Sequence, residues 1–321
     1  MRARPILAAL VFAPAAAGAA EWETRISGFY NLGVGYADPA GGDEDFAVFR
    51  DGEVHFRGKL VADNGLVFET RVELENVTAR DQIDENWGSI SGPFGTLLIG
   101  GADSALNEHG GVGVVSATAR YFNYYDADIS ILPGDPGGFV GEDDSLGMRY
   151  WYARGGFEAG VSYQPSVGVD NAADSNNPVF EANDQFAFGA SYERAFENGR
   201  LALGGGYLAN DALEIWHVGI EAGYAGFEAA IFYDRVDPDG ASPNDLSRIG
   251  VGATYRTGPW IFGGGYTHTD GMNGTGNQDF VSVGGSYDLA PGVSLRAAAQ
   301  WGEDEVGTDG AGGFAWINLR F

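Results

Sequence analysis

Apolar and polar residues alternate with a period of two in sixteen short segments between Glu23 and Phe321. In the first, Ile26, Gly28, Tyr30, Leu32, Val34 and Tyr36 fall on one face, and Arg25, Ser27, Phe29, Asn31, Gly33 and Gly35 on the other. Successive side chains of a β-strand point to opposite sides of the sheet, so this pattern predicts strands. The second segment, roughly residues 46–62, sets Val54, Phe56 and Leu60 against Glu53, His55, Arg57 and Lys59. After Asp63-Asn64-Gly65, a hairpin turn that needs positive backbone angles, Leu66, Phe68, Val72 and Leu74 oppose Glu69, Arg71, Glu73 and Glu75. The same scheme returns at 157–164, 185–193, 248–256 and 293–301.

The connectors switch strictly between tiny and long. Gly92-Pro93-Phe94-Gly95, Glu197-Asn198-Gly199 and Thr257-Gly258-Pro259 are tight turns, whereas 103–144, 165–183, 237–245 and 270–277 are long, polar and acidic. Short turns on one rim and long loops on the other are the mark of an antiparallel barrel that crosses a membrane. In lipid an open sheet would leave its edges unpaired, so the chain must close on itself. The polar face carries Glu53, Arg57, Lys59, Glu69, Arg71, Glu73, Arg149, Arg248, Arg256 and Arg296, too many charges for the dry core of a sandwich. We therefore expect an all-β transmembrane barrel of sixteen antiparallel strands, apolar outside and wet inside, with both termini on the short-turn rim. Aromatics near strand ends (Tyr36, Tyr163, Tyr255, Trp260, Tyr287, Trp301) suit the two membrane interfaces. Sixteen strands leave a water-filled lumen, whereas eight would be plugged by their own side chains.

Composition adds where the chain goes. Arg2 and Arg4, an apolar run at residues 6–12 and small residues up to Ala20 read as a secretory leader cleaved after Ala20. That divides the chain into residues 1–20 and one barrel domain over 21–321, since no linker or composition shift interrupts the rest. Without the two leader arginines, 16 basic residues face 45 acidic ones, a formal charge of −29. Phosphate contact needs clustered Lys and Arg, so nucleic acid is not an expected partner. Cysteine is absent, which excludes disulfides and thiolate metal sites.

Two stretches and the last strand carry a family resemblance. Residues 85–101 hold a strand, the turn Ser91-Gly92-Pro93-Phe94-Gly95, and a returning strand ending at Gly100-Gly101 ahead of the longest connector. Residues 54–74, with Gly58 and the Asp63-Asn64-Gly65 turn, are similar to the second hairpin of the same family. Ala315, Ile317, Leu319 and the terminal Phe321 resemble the signal read by the outer-membrane assembly machinery. The whole resembles Gram-negative general-diffusion porins, in particular those of Rhodobacter type. The resemblance implies a homotrimer in the outer membrane, in contact with lipopolysaccharide. It also implies a third loop, here Asp103–Asp144, that folds into the lumen and narrows it. That loop lacks the Pro-Glu-Phe-Gly-Gly motif of enterobacterial porins.

A constriction selects by charge sign, size and field. The candidate acids are the loop residues Asp103, Glu108, Asp126 and Asp128, with Asp135 and Glu142-Asp143-Asp144 beyond them; the candidate bases are Arg57, Lys59 and Arg71 on neighbouring strands, with Arg25 lower down. Carboxylates on the loop facing these cations would set a transverse field. Lys59 is the only lysine in the chain. Alternatively each base partners a nearby inward acid such as Glu69 or Glu73. The four histidines, His55, His109, His217 and His268, lie on separate elements without metal-ligand spacing, so no metal centre or cofactor is expected, apart from structural calcium at an acidic cluster such as Glu142-Asp143-Asp144. Ser104 near His109 is a weak candidate for a hydrolytic pair. Glycine triplets 204–206 and 263–265 sit mid-strand, where a bend or close packing needs no side chain. The expected function is passage of ions and small hydrophilic solutes, with no enzymatic activity; the alternative is a substrate-specific channel. Inward aromatics (Phe29, Trp151, Phe232, Phe280) look too scattered for a sugar slide.

Overall fold

The computed structural model describes residues 22–38, 45–76, 83–114, 145–167, 182–238, 245–272, 276–305, 307 and 309–321. The leader, Asp126, Asp128, Asp135 and Glu142-Asp143-Asp144 lie outside them. Sixteen strands follow one another: β1 (Glu23–Asp38), β2 (Asp45–Val61), β3 (Val67–Glu75), β4 (Ile83–Gly92), β5 (Gly95–Gly101), β6 (Leu146–Arg154), β7 (Phe157–Val167), β8 (Ala182–Phe196), β9 (Gly199–Ala209), β10 (Leu213–Tyr224), β11 (Phe227–Pro238), β12 (Leu246–Thr257), β13 (Trp260–Met272), β14 (Gly276–Ala290), β15 (Val293–Asp304) and β16 (Asp309–Arg320). Each pairs antiparallel with its sequence neighbours, and β1 pairs with β16 to close the ring. The seam runs on past the ladder: Gly28 N–H donates to the Phe321 carbonyl at 3.0 Å, and Phe321 N–H to the Gly28 carbonyl at 3.1 Å. Among the described residues of the connector between β5 and β6 lies an α-helix, α1 (Ala105–Gly110).

The period-two pattern decides which side of the wall each residue takes. Along β10, Trp216, Val218 and Ile220 are exposed outward at 44–55 %, while Ile215 and His217 on the opposite face are buried at 1 and 4 %. Apart from the five-residue β2–β3 connection (62–66), the short rim is built from two-residue turns. Gly155-Gly156 and Ala225-Gly226 have positive φ at both positions, as a type I′ turn requires.

Two expectations need correction. The connectors on the far rim are not uniformly long: residues 210–212, 273–275 and 305–308 are as short as many turns. Pro165, Asn183, Asp237, Asp270 and Asn277, read as loop, belong to β7, β8, β11, β13 and β14. Once a strand clears the lipid both its faces meet water, so polarity no longer marks its end while backbone pairing continues. Nor is the inner wall polar throughout. Inward Ala187, Leu208, Leu213, Ile215, Ala230, Phe232 and Val236 form one buried apolar cluster with Ala105, Leu106 and Val114. A second joins Phe49, Phe280, Phe314 and Trp316, so the inward aromatics are less scattered than the pattern implied.

Candidate functional site in the lumen

The first part of the third loop, residues 102–114, runs along the inner wall. Ser104 caps α1, its Oγ accepting from the Asn107 N–H at 3.4 Å, which satisfies a donor that the helix start leaves unpaired. The Ala105 N–H donates to Ser162 Oγ on β7 at 2.9 Å. Ala105 and Leu106 are fully buried, on a helix packed against β7 to β10 and within an apolar cluster that extends to β11. Full burial of a leucine is worth about 1.5–3 kcal/mol. The wall makes room with glycines. A Cβ on Gly160 would collide with the His109 ring, one on Gly189 with the Ala105 carbonyl, one on Gly204 with Val112, and one on Gly219 with the Val112 carbonyl. A Cβ on Gly206 would stand 2.8 Å from Leu106 Cδ1. The mid-strand triplet 204–206 is thus part of a seat for the loop.

Polar contacts fix the loop in that seat. Arg149 on β6 donates to the Asp103 carbonyl at 2.6 Å and reaches Glu108 at 3.5 Å. Gln164 donates to the Ala102 carbonyl at 3.2 Å and accepts from Gln185 at 2.7 Å. His217 lies with Nε2 3.2 Å from the Val112 carbonyl and Nδ1 2.5 Å from Asp234. Asp234 in turn accepts from Arg248 at 2.6 and 3.0 Å. His109 Nδ1 sits 2.6 Å from Glu158, while its buried Nε2 has no hydrogen-bond partner among the described residues. Burial holds the His109 pKa below the ordinary histidine value; Glu158 pulls the other way, and Arg149 adds to the lowering. Ser104 and His109 are therefore a cap and a wall contact.

The basic candidates stand on β2 and β3. Arg25, Arg57 and Arg71 are register partners across β1, β2 and β3, three guanidiniums abreast on the inner face. Like charges directly opposite cost stability, and they concentrate positive potential. Arg71 contacts Glu73 and lies 3.1 Å from Glu85. Lys59 lies 3.5 Å from Glu69, both about half exposed. Arg25 and Arg57 have no ion-pair partner among the described residues. The structure therefore sorts the predicted site into two sets, Asp103 and Glu108 with Arg149, and Arg57, Lys59 and Arg71 on another sector of the wall. The partner role for Lys59 and Arg71 is real, whatever else they do.

Sequence reading missed Arg149, Ser162, Gln164, His217, Asp234 and Arg248 as loop anchors. Their inward parity was visible, but which wall sector receives the loop depends on the ring. It also missed that His55 lies 2.7 Å from Glu53 and 3.2 Å from Glu73. Glu53 and His55 share a face, and the Asp63-Asn64-Gly65 turn sets β2 against β3, so that contact could have been found.

A family profile described as Gram-negative porin matches residues 7–307. The chain belongs to the Gram-negative porin family. It is a channel of the outer membrane. Among solved structures, this porin is similar to the anion-selective porin of Comamonas acidovorans, at 14% identity, with a TM-score of 0.68 and coverage of 94% of this chain and 100% of that one. A triply substituted variant of the Rh. blastica porin is 17% identical, with a TM-score of 0.63 over 93% of this porin and all of that chain. The trimer form of OmpT of Vibrio cholerae is 13% identical, with a TM-score of 0.64 over 94% and 99%. No curated protein matches the porin in sequence.

Proposed function

We propose that this porin passes ions and small hydrophilic solutes by diffusion. Its narrowest section would lie between the loop seated on β7–β10 and the arginine row of β1–β3. The observation that carries the reading is the row itself: among the described residues Arg25 and Arg57 have no ion-pair partner, and they stand on a wall sector other than the one holding α1. With acids dominating the chain, the lumen potential is negative and cations are modestly preferred, the wall arginines offsetting part of the field. The Comamonas protein carries the opposite preference in its name; at such low identity the shared feature is the barrel. The zero-current potential across a KCl gradient in planar bilayers tests the assignment. Wild type should favour K⁺, and replacing Arg57 with Ser and Lys59 with Gln together should strengthen that preference and raise conductance. Chloride preference in wild type, or a shift toward chloride in the variant, would overturn it. The aromatic cluster around Phe49 and Trp316 gives no support to a sugar-specific slide, because its rings are about 95 % buried.

The assembly we propose is a homotrimer. Over β1–β4 the outward face carries Gly28, Gly88, Thr70 and Asn86, small or polar positions among the aliphatic and aromatic residues of the wall. Flat surfaces let walls approach in lipid. Unboiled protein should migrate as a trimer in a detergent gel, and a band only at monomer mass under mild conditions would count against it. We propose also that residues 1–20 are removed on export, leaving Glu21 as the first residue in N-terminal sequencing.

A further inference from the structure

Glu53 and His55 lie two residues apart on β2 and share its inward face, and Glu73 stands directly opposite His55 on β3. One ligand atom from each of the three falls within 4.8 Å of the others. Glu73 is 2 % exposed, and its Oε1 lacks any contact of hydrogen-bond geometry although Arg71 and His55 lie beside it. A neutral imidazole offers one N–H and one lone pair. Here both ring nitrogens face carboxylate oxygens, so in the neutral ring one contact sets lone pair against lone pair.

We propose that Glu53, His55 and Glu73 bind a divalent cation of the zinc class on the lumen wall. Ligands of a tetrahedral zinc ion stand about 2.0–2.2 Å from the metal and hence roughly 3.3 Å from one another. Glu53 stands 2.7 Å from Nε2 and Glu73 3.2 Å from Nδ1; the ion takes one of these nitrogens, and the carboxylate beside the other turns in from a ligand spacing of no more than 4.8 Å. One imidazole with two carboxylates selects borderline ions such as Zn²⁺ over hard Mg²⁺ or Ca²⁺. Three protein ligands leave a position for water or a passing anion. Arg71 opposes the ion electrostatically, but Glu85 at 3.1 Å holds the guanidinium from its other side. His55 is the inward neighbour of Arg57 on β2, so the bound ion adds two positive charges beside the arginine row and moves the channel toward anions.

The experiment uses folded, detergent-purified protein and ZnCl₂ as the probe, with MgCl₂ as the comparison. Equilibrium dialysis should find one tight Zn²⁺ per chain in wild type. His55→Gln should weaken it by at least the roughly 10–100-fold typical of losing even an outer partner of a metal ligand. His268→Gln removes another carboxylate-flanked histidine, which lies 2.8 Å from Asp279, and should leave binding intact. In bilayers, Zn²⁺ should shift the zero-current potential toward chloride, reversibly with chelator, in wild type and not in His55→Gln. Glu73→Gln should weaken binding as well, and if that variant fails to fold the His55→Gln arm still decides. Equal binding in wild type and His55→Gln, loss on His268→Gln, or equal response to Mg²⁺ would each overturn the site.

Discussion

Several wall positions work by having no side chain. Gly189, Gly204 and Gly219 admit backbone and methyl groups of the loop where a Cβ would collide. Gly219→Val should therefore leave a closed barrel but lift Val112 from its seat, at the roughly 1–3 kcal/mol that overpacking costs. Single-channel recording should show lower and noisier conductance, and a trace identical to wild type would refute the fit. Leu106→Ala should loosen the same loop from within, by about 2–5 kcal/mol of docking energy. At the short rim, Ala225 holds φ at 50°, a left-handed conformation that costs an L-residue roughly 1–2 kcal/mol. Ala225→Gly should raise the thermal midpoint of the folded porin, and a fall would contradict the turn assignment. What could be read from residues alone was parity: inward Arg57, Lys59 and Arg71 were visible in the alternation. What could not be read was partnership, because contacts such as Arg149 with Asp103, or His217 with Val112, join residues 46 and 105 positions apart.

At the scale of elements, strands were legible because each carries its own period, and the loop was not, because its place depends on which strands accept it. The helix α1 is too short to be stable alone; it persists because Ser104 caps it, Ser162 anchors it and Leu106 is buried. His109 makes this docking pH-dependent. Docked, its Nδ1 faces Glu158 and its buried Nε2 has no partner among the described residues, with Arg149 nearby, so added charge is poorly accommodated. The docked state binds fewer protons than the released one, so docking is fully supported above the ordinary histidine pKa of about 6.5 and weakens as pH falls below it. Brief channel closures should become more frequent at about pH 5 than at about pH 7.5, and His109→Gln should flatten that dependence. Equal closure rates at both pH values in wild type would remove the link.

For the whole molecule, the closed ring turns scattered charges into a field. The full chain has 45 acidic residues against 18 basic ones, and much of the basic minority is gathered on the inner face of the barrel. A preference that rests on this field should shrink as salt rises, since the Debye length falls from about 10 Å at 0.1 M to about 3 Å at 1 M. Zero-current potentials at fixed KCl ratio but rising mean concentration check this, and a preference independent of concentration would point to contact sites instead. The ring also explains why the sequence announced a barrel but not its aperture. Strand number follows from counting periods, whereas aperture follows from how deep the loop sits. That depth has a consequence for how such a channel changes over generations. Glycine is the smallest residue, so every substitution at Gly160, Gly189, Gly204, Gly206 or Gly219 adds atoms behind the loop and drives it toward the pore axis. Heritable drift at these positions works as a ratchet: it can narrow the passage, and no single replacement among them can widen it.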